Sequence, residues 1–252
     1  MPSDFDRIID RSGTASLKWD KYAGRDVLPL WVADMDFAAP PMVLDALHAR
    51  IDHGVFGYTR APASANAAVV NYLQRRYGWT IESGWIVWLP GLVPGINLAC
   101  RAVGEAGDAA LTFTPVYPPF LSAPRFNQRE LIALPLVEGK DEWQIDFAAL
   151  EQAITPRTRL LILCHPHNPV GRIWRRDELE HLAVFAQKHA LTVVSDEIHC
   201  DLLLEPDARH VPFASLSEDA AARTITLMAP SKTYNVPGLA CSFAVIADPV
   251  LR

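Results

Sequence analysis

The chain has 252 residues, half of them hydrophobic, and a formal net charge of −6. That is enough apolar material for a substantial core, in one large domain or two ordinary ones. There is no basic stripe for nucleic acid and no run approaching the roughly 20 apolar residues that cross a bilayer, so neither nucleic acid nor membrane is an expected partner.

The N-terminus, Met1–Arg11, is charged and lacks the apolar run of a signal peptide. Residues 1–40 read as an N-terminal arm. Pro41–Arg50 follows a double proline and predicts a helix with Val43, Leu44 and Leu47 on one face. Ser64–Tyr77, through Val69, Val70, Leu73 and Tyr77, predicts a second helix, and Gly91–Val103 a third that opens on a Gly/Pro loop. Short apolar runs of strand character follow: Ala109–Phe113, Leu131–Pro135, Leu160–Cys164, Leu191–Ser195, Thr224–Met228 and Ser242–Ile246. Among them lies a helical stretch, Arg175–Lys188, with Leu179, Leu182, Ala183 and Phe185 at helical spacing.

Continuous apolar strands separated by helices predict an α/β protein with a mainly parallel sheet sandwiched by helices. Ligands of such sheets bind beyond the carboxyl ends of the strands. The polar segments His165–Gly171, Asp196–Asp201 and Ser231–Asn235 each come directly after a predicted strand. The four cysteines, Cys100, Cys164, Cys200 and Cys241, are scattered singly, three of them inside apolar runs, and read as reduced core residues of a cytoplasmic protein.

Lys232, in Ala229-Pro230-Ser231-Lys232-Thr233-Tyr234-Asn235, is either a surface lysine or, desolvated at the mouth of a sheet, an amine able to form a Schiff base. Asp196 is either a cap or salt-bridge partner or the counter-ion of a protonated pyridine nitrogen. His165 and His167, with His199 and Asp201, invite a metal hypothesis. Pro166, Pro169 and Gly171 read instead as a turn, and no metal is expected. Gly91-Leu92-Val93-Pro94-Gly95 opens a helix, so its amides form a candidate phosphate cradle or an ordinary loop.

As an ordered set, the Gly-rich helix start, Tyr117, Asn168-Pro169-x-Gly171, Asp196-Glu197-x-His199 and Ser231-Lys232 resemble the class I/II aminotransferase superfamily of fold-type I enzymes. These enzymes use pyridoxal 5′-phosphate (PLP). Four segments are more closely similar to the MalY/PatB group of cysteine-sulfur β-lyases. They are Pro29–Phe37, Phe56–Thr59, Asp196–Asp201, with His199 where aminotransferases usually carry tyrosine, and Ser231–Leu239.

The resemblance implies that 41–252 is a PLP-binding large domain in which Lys232 is the catalytic residue, holding PLP and shuttling the Cα proton of an amino-acid substrate. It further implies that Asp196 pairs with the pyridine nitrogen, that Asn168 and His199 lie near the phenolic oxygen, and that Tyr117 stacks on the ring. Phosphate would be held by the amides of Leu92 and Val93, by Ser231, and by Tyr58 of a neighbouring subunit in a homodimer. The implied activity is carbon-sulfur β-lysis of cystathionine or related conjugates to thiol, pyruvate and ammonia. Many superfamily members have serine at the position of Ala229 and arginine at that of Ala240, both phosphate contacts, so weaker PLP retention is expected. The resemblance also implies a C-terminal small domain, carrying a carboxylate-clamping arginine, that lies outside these 252 residues. An aminotransferase and a regulatory binding protein without turnover are the competing readings.

Overall fold

Apolar runs with no polar alternation have to be covered on both faces, and each of the predicted apolar runs becomes part of a strand in a sheet with helices on either side. The structure, a computed structural model, describes residues 5–252. The chain divides into two compact units, Met1–Arg60 with Pro230–Ala240, and Ala61–Ala229 with Cys241–Arg252.

In the first unit, α1 (Leu17–Asp20) and α2 (Pro41–His53) flank an extended stretch. Arg11 bridges Asp34 and Asp36 at 2.6 and 2.7 Å, and the buried Lys18 reaches Asp36 at 2.6 Å. These donors, with the Trp19 indole, bring the Asp36 carboxyl down to about 2 against the opposing effect of burial. Asn235 fastens the 230–240 segment to this stretch. Its Oδ1 accepts from the Met35 amide at 2.8 Å, and its Nδ2 donates to the carbonyls of Met35 and Phe37, each at 3.0 Å. The predicted helix at 41–50 forms, but none of its residues is buried, and Leu44 and Leu47 stay exposed.

The second unit follows in chain order: α3 (Ala63–Tyr77), β1 (Ile86–Leu89), α4 (Leu92–Ala102), β2 (Ala109–Thr114), α5 (Pro119–Phe126) and β3 (Glu130–Pro135). A small hairpin comes next, β4 (Val137–Glu138) and β5 (Trp143–Gln144), then α6 (Phe147–Ala153), β6 (Thr158–Cys164), α7 (Arg176–Lys188) and β7 (Thr192–Asp196). Last are α8 (Glu218–Ala222), β8 (Thr224–Met228) and β9 (Ser242–Val245). Seven strands form one sheet in the order β1-β9-β8-β7-β6-β2-β3. All its pairings are parallel except those of β9, which runs antiparallel to both β8 and β1. The mainly parallel, helix-covered sheet is therefore observed, with one reversed strand, β9, a further edge strand, β1, and a separate hairpin, β4–β5, in addition to the expected runs.

Alternation along the strands sorts the core into two layers. Leu160, Ile162, Cys164, Val194 and Leu227 pack with α4 and α5, whereas Leu161, Leu163 and Val193 pack with α6, α7 and α8. On the latter side, α3 contributes Leu73 to a third cluster with Met228, Phe243 and Val245. Cys100, Cys164 and Cys200 are buried as expected, and burial raises their thiols, that of Cys100 to about 11. Cys241 departs from that expectation: it is exposed, because it lies just ahead of β9 rather than within it. Among the described residues no helix is long and apolar enough to cross a membrane.

Helix α4 lies close against the sheet at Gly95, where a Cβ would come within 3.0 Å of Leu89 Cδ1 and 3.1 Å of Leu227 Cδ2. Gly95→Val should therefore overpack this contact and lower stability by about 1–3 kcal/mol, measured as a shift of the urea unfolding midpoint with unchanged slope.

Candidate active site

The carboxyl ends of β1, β2, β6 and β7 share one edge of the sheet, as their pairings require. The residues expected to carry chemistry in this unit follow those ends. Leu92 and Val93 are the first two residues of α4, just after β1. An α-helix leaves its first amides without intrahelical acceptors and carries partial positive charge at that end, so these N–H groups suit an anion. Leu92 is buried and Val93 partly exposed.

The turns after β2 and β6 are tied to each other. The Tyr117 amide donates to the Asn168 carbonyl at 3.1 Å, and His167 Nε2 donates to the Pro115 carbonyl at 2.9 Å. Tyr117 is 44% exposed, so its ring is open to a ligand. The turn carrying Asn168 is closed by Gly171, whose φ of +71° favours glycine and whose amide donates to the His167 carbonyl at 2.8 Å. Cys164 Sγ accepts from the Asn168 amide at 3.3 Å and donates to the Pro166 carbonyl at 3.4 Å.

Asp196 is the last residue of β7, opposite Cys164 and Leu227 in the neighbouring strands, and is buried. Its Oδ1 accepts from the Ile198 amide at 3.2 Å. Burial chiefly, and the adjacent Asp196 charge next, push the Cys164 thiol up, so Asp196 lies beside a neutral sulfhydryl. Val194 and Ile198 pack into the α4 layer, and strand alternation puts Asp196 on that same side, the side whose helix opens with Leu92 and Val93. His199 follows in the turn, its carbonyl accepting from the Leu202 amide at 2.9 Å.

The structure thus brings Leu92, Val93, Tyr117, Asn168, Asp196 and His199 to one sheet edge. Tyr58, Ser231 and Lys232 belong to the other unit. Tyr58 is fully exposed. Ser231 and Lys232 are half-buried in a turn closed by Tyr234 N–H to the Pro230 carbonyl at 2.9 Å and Val236 N–H to the Ser231 carbonyl at 3.0 Å.

The two histidines of the metal hypothesis face different acceptors. His165 Nε2 donates to the Val211 carbonyl at 3.1 Å, and His167 to Pro115. Among the described residues, no group of three metal-ligating side chains converges. Sequence reading missed Glu197, His210 and Ser195, a buried polar set behind Asp196, and Asn235 as the anchor of the Lys232 turn. The signal available for the first was its place directly after Asp196 in a segment already singled out.

A phosphate-bearing, cationic aromatic group fits what this unit presents: unpaired helix amides for an anion, an aromatic face, and a buried carboxylate on the same side of the sheet. Residues 25–252 match the family model described as aminotransferase class I and II. The chain is 44% identical to cystathionine beta-lyase PatB of Bacillus subtilis, over 99% of this chain and 65% of that protein. Among solved structures it is similar to OvoB, with a TM-score of 0.95 and 49% identity over 99% of this chain and 66% of that one. It is similar also to cystalysin from Treponema denticola, which contains a pyridoxal 5′-phosphate cofactor, with a TM-score of 0.94 and 38% identity over 100% of this chain and 65% of that one. The chain spans just under two thirds of the length of these relatives.

Burial holds His165 neutral, with its pKa well below the usual histidine value, and the stacked His210 adds to the effect. In the unfolded chain the same imidazole binds a proton near pH 6.5. The unfolded state therefore takes up more protons below that pH, and stability falls as pH drops from about 6.5 to 5. In His165→Gln this pH dependence should be shallower, as read from thermal midpoints across that range.

Proposed function

The chain belongs to the class I and II aminotransferase family, and on that premise we propose that it is the cofactor-binding part of a PLP-dependent carbon–sulfur β-lyase acting on cystathionine or a related cysteine conjugate. The observation that carries this reading is the buried Asp196 at the end of β7, on the same side of the sheet as the free amides of α4. Its likeness to a relative named cystathionine beta-lyase supports the choice of reaction.

The Leu92 and Val93 amides, with Ser231, would hold the cofactor phosphate, and Tyr58 of a neighbouring subunit would add its hydroxyl, which makes the working assembly a homodimer. Tyr117 would cover one face of the ring, and Asn168 and His199 would serve the phenolic oxygen. Asp196 would hold the ring nitrogen in its protonated form through a charge-assisted hydrogen bond. When bound, the group supplies an electron sink that makes the substrate's Cα proton acidic. Lys232 Nζ would hold the cofactor and, once the substrate amine has replaced it there, would be the free amine that takes that proton from Cα. Ala229 and Ala240 offer the phosphate nothing, so retention rests on the backbone amides, Ser231 and Tyr58.

The test is the visible absorption of the purified chain with added PLP, compared with Lys232→Ala, followed by pyruvate release from L-cystathionine. The expected outcome is an absorbance band that vanishes in the variant, with pyruvate formed without a 2-oxo acid acceptor. Turnover only on addition of a 2-oxo acid would replace the lyase by an aminotransferase, and absence of any Lys232-dependent band would refute the cofactor reading.

A further inference from the structure

The chemistry assigned above leaves Glu197 unused, yet it is the most completely enclosed acid beside the site. It has no exposed surface and takes three donors. Its Oε1 accepts from Ser195 Oγ at 2.8 Å and from the Phe213 amide at 3.0 Å, and its Oε2 meets His210 Nε2 at 2.7 Å. His210 is itself fixed from two sides. It stacks on His165, with ring centroids 4.4 Å apart at 28°, and meets the edge of Tyr77 at 5.3 Å. His165 in turn holds the Val211 carbonyl. Residues 210–213 are therefore clamped to the ends of both β6 and β7.

Strand parity connects this clamp to Asp196. The Glu197 amide donates to the Leu227 carbonyl at 2.9 Å, one step beyond the Asp196–Leu227 pair, so the ladder continues through Glu197. Ser195 and Glu197 point to one face, as their side-chain hydrogen bond demands, and Asp196 to the other. A side chain anchored at three points on one face leaves its neighbour no freedom to rotate about the strand.

We propose that Glu197, through Ser195, His210 and Phe213, is a positioning residue that fixes the direction of the Asp196 carboxylate toward the ring nitrogen of bound PLP. This rests on the cofactor reading above and adds the element that keeps Asp196 aimed.

The experiment uses the full chain with Glu197→Ala and Glu197→Gln, and PLP itself as probe. Amide hydrogen exchange without cofactor reports the turn, and the absorbance maximum and dissociation constant of PLP report the site. In Glu197→Ala, exchange at Ile198 and Cys200 should quicken by roughly tenfold or more while β6 and β7 keep their protection. PLP should bind roughly tenfold more weakly, with a shifted maximum. Glutamine keeps an oxygen for Ser195 and Phe213, and its amide donates to His210 Nε2 once that ring carries its proton on Nδ1, so it should restore both within about twofold. Should Glu197→Ala lose the protection of β6 and β7 too, Ser195→Ala, which removes one donor, carries the same expectations at smaller amplitude. A loosened turn with wild-type PLP affinity and spectrum overturns the proposal, as does a glutamine variant as impaired as alanine. A wild-type chain without a Lys232-dependent band brings down the cofactor reading and this inference with it, an outcome the cofactor-free exchange data keep separate from a failure of the clamp alone.

Discussion

The candidate site depends on the parity of residues at the carboxyl end of β7. In a strand, neighbouring side chains leave by opposite faces, and here Ser195 and Glu197 face one layer of helices while Asp196 faces the layer of α4 and α5. A slip of one residue would exchange them. It would put Asp196 into the α7 layer and turn Glu197 toward α4. The two buried valines, Val193 and Val194, would fit either side, so the register is held by Glu197, whose partners Ser195, His210 and Phe213 all lie on one face.

That arrangement places several ionisable groups out of water, and each has to be answered locally. A buried polar group left without a partner costs roughly 1–3 kcal/mol. Glu197 is met by three donors, His165 and His167 donate to carbonyls, and Asp201 accepts from both Tyr72 and Tyr77. Burial chiefly, with the Asp201 charge assisting, raises both phenols, so they stay as neutral donors. The same groups join elements that are distant in sequence: α3 to the turn after β7, and the turn after β6 to the segment before α8. These cross-links give the edge its rigidity, although the Nδ1 atoms of His165, His167 and His210 are buried without a partner.

Much of the sheet was legible because parallel strands covered on both faces are written as plain apolar runs, as in Leu160–Cys164 and Thr224–Met228. Ile86–Leu89 was overlooked although Trp85–Leu89 is an unbroken apolar run between Gly84 and Pro90, the same signal in a shorter form. The direction of β9 was not legible either, since an apolar run reads the same both ways. The periodicity of Pro41–His53 announces a helix correctly but says nothing of what covers its apolar side. Asn168 and Asp196 could be picked out because their segments follow predicted strands, whereas Tyr117 came only with the family resemblance. His210 could not, as a lone histidine in an irregular stretch reaches Glu197 only through the fold. Asn235 was within a segment already singled out, but its acceptors lie near residue 36, a separation no local pattern encodes.

The reversal of β9 has a topological consequence. A parallel successor to β8 would need a crossover of a dozen or more residues to return to the opposite edge. Because β9 pairs antiparallel with β8, Met228 opposite Phe243, the chain departs and re-enters at the same edge. The stretch from Ala229 to Cys241, with Lys232 in it, is a closed detour whose ends the sheet pins side by side. Its residues can change without altering the register of any strand, because its own fastening runs through Asn235 to Met35 and Phe37 and not through the sheet.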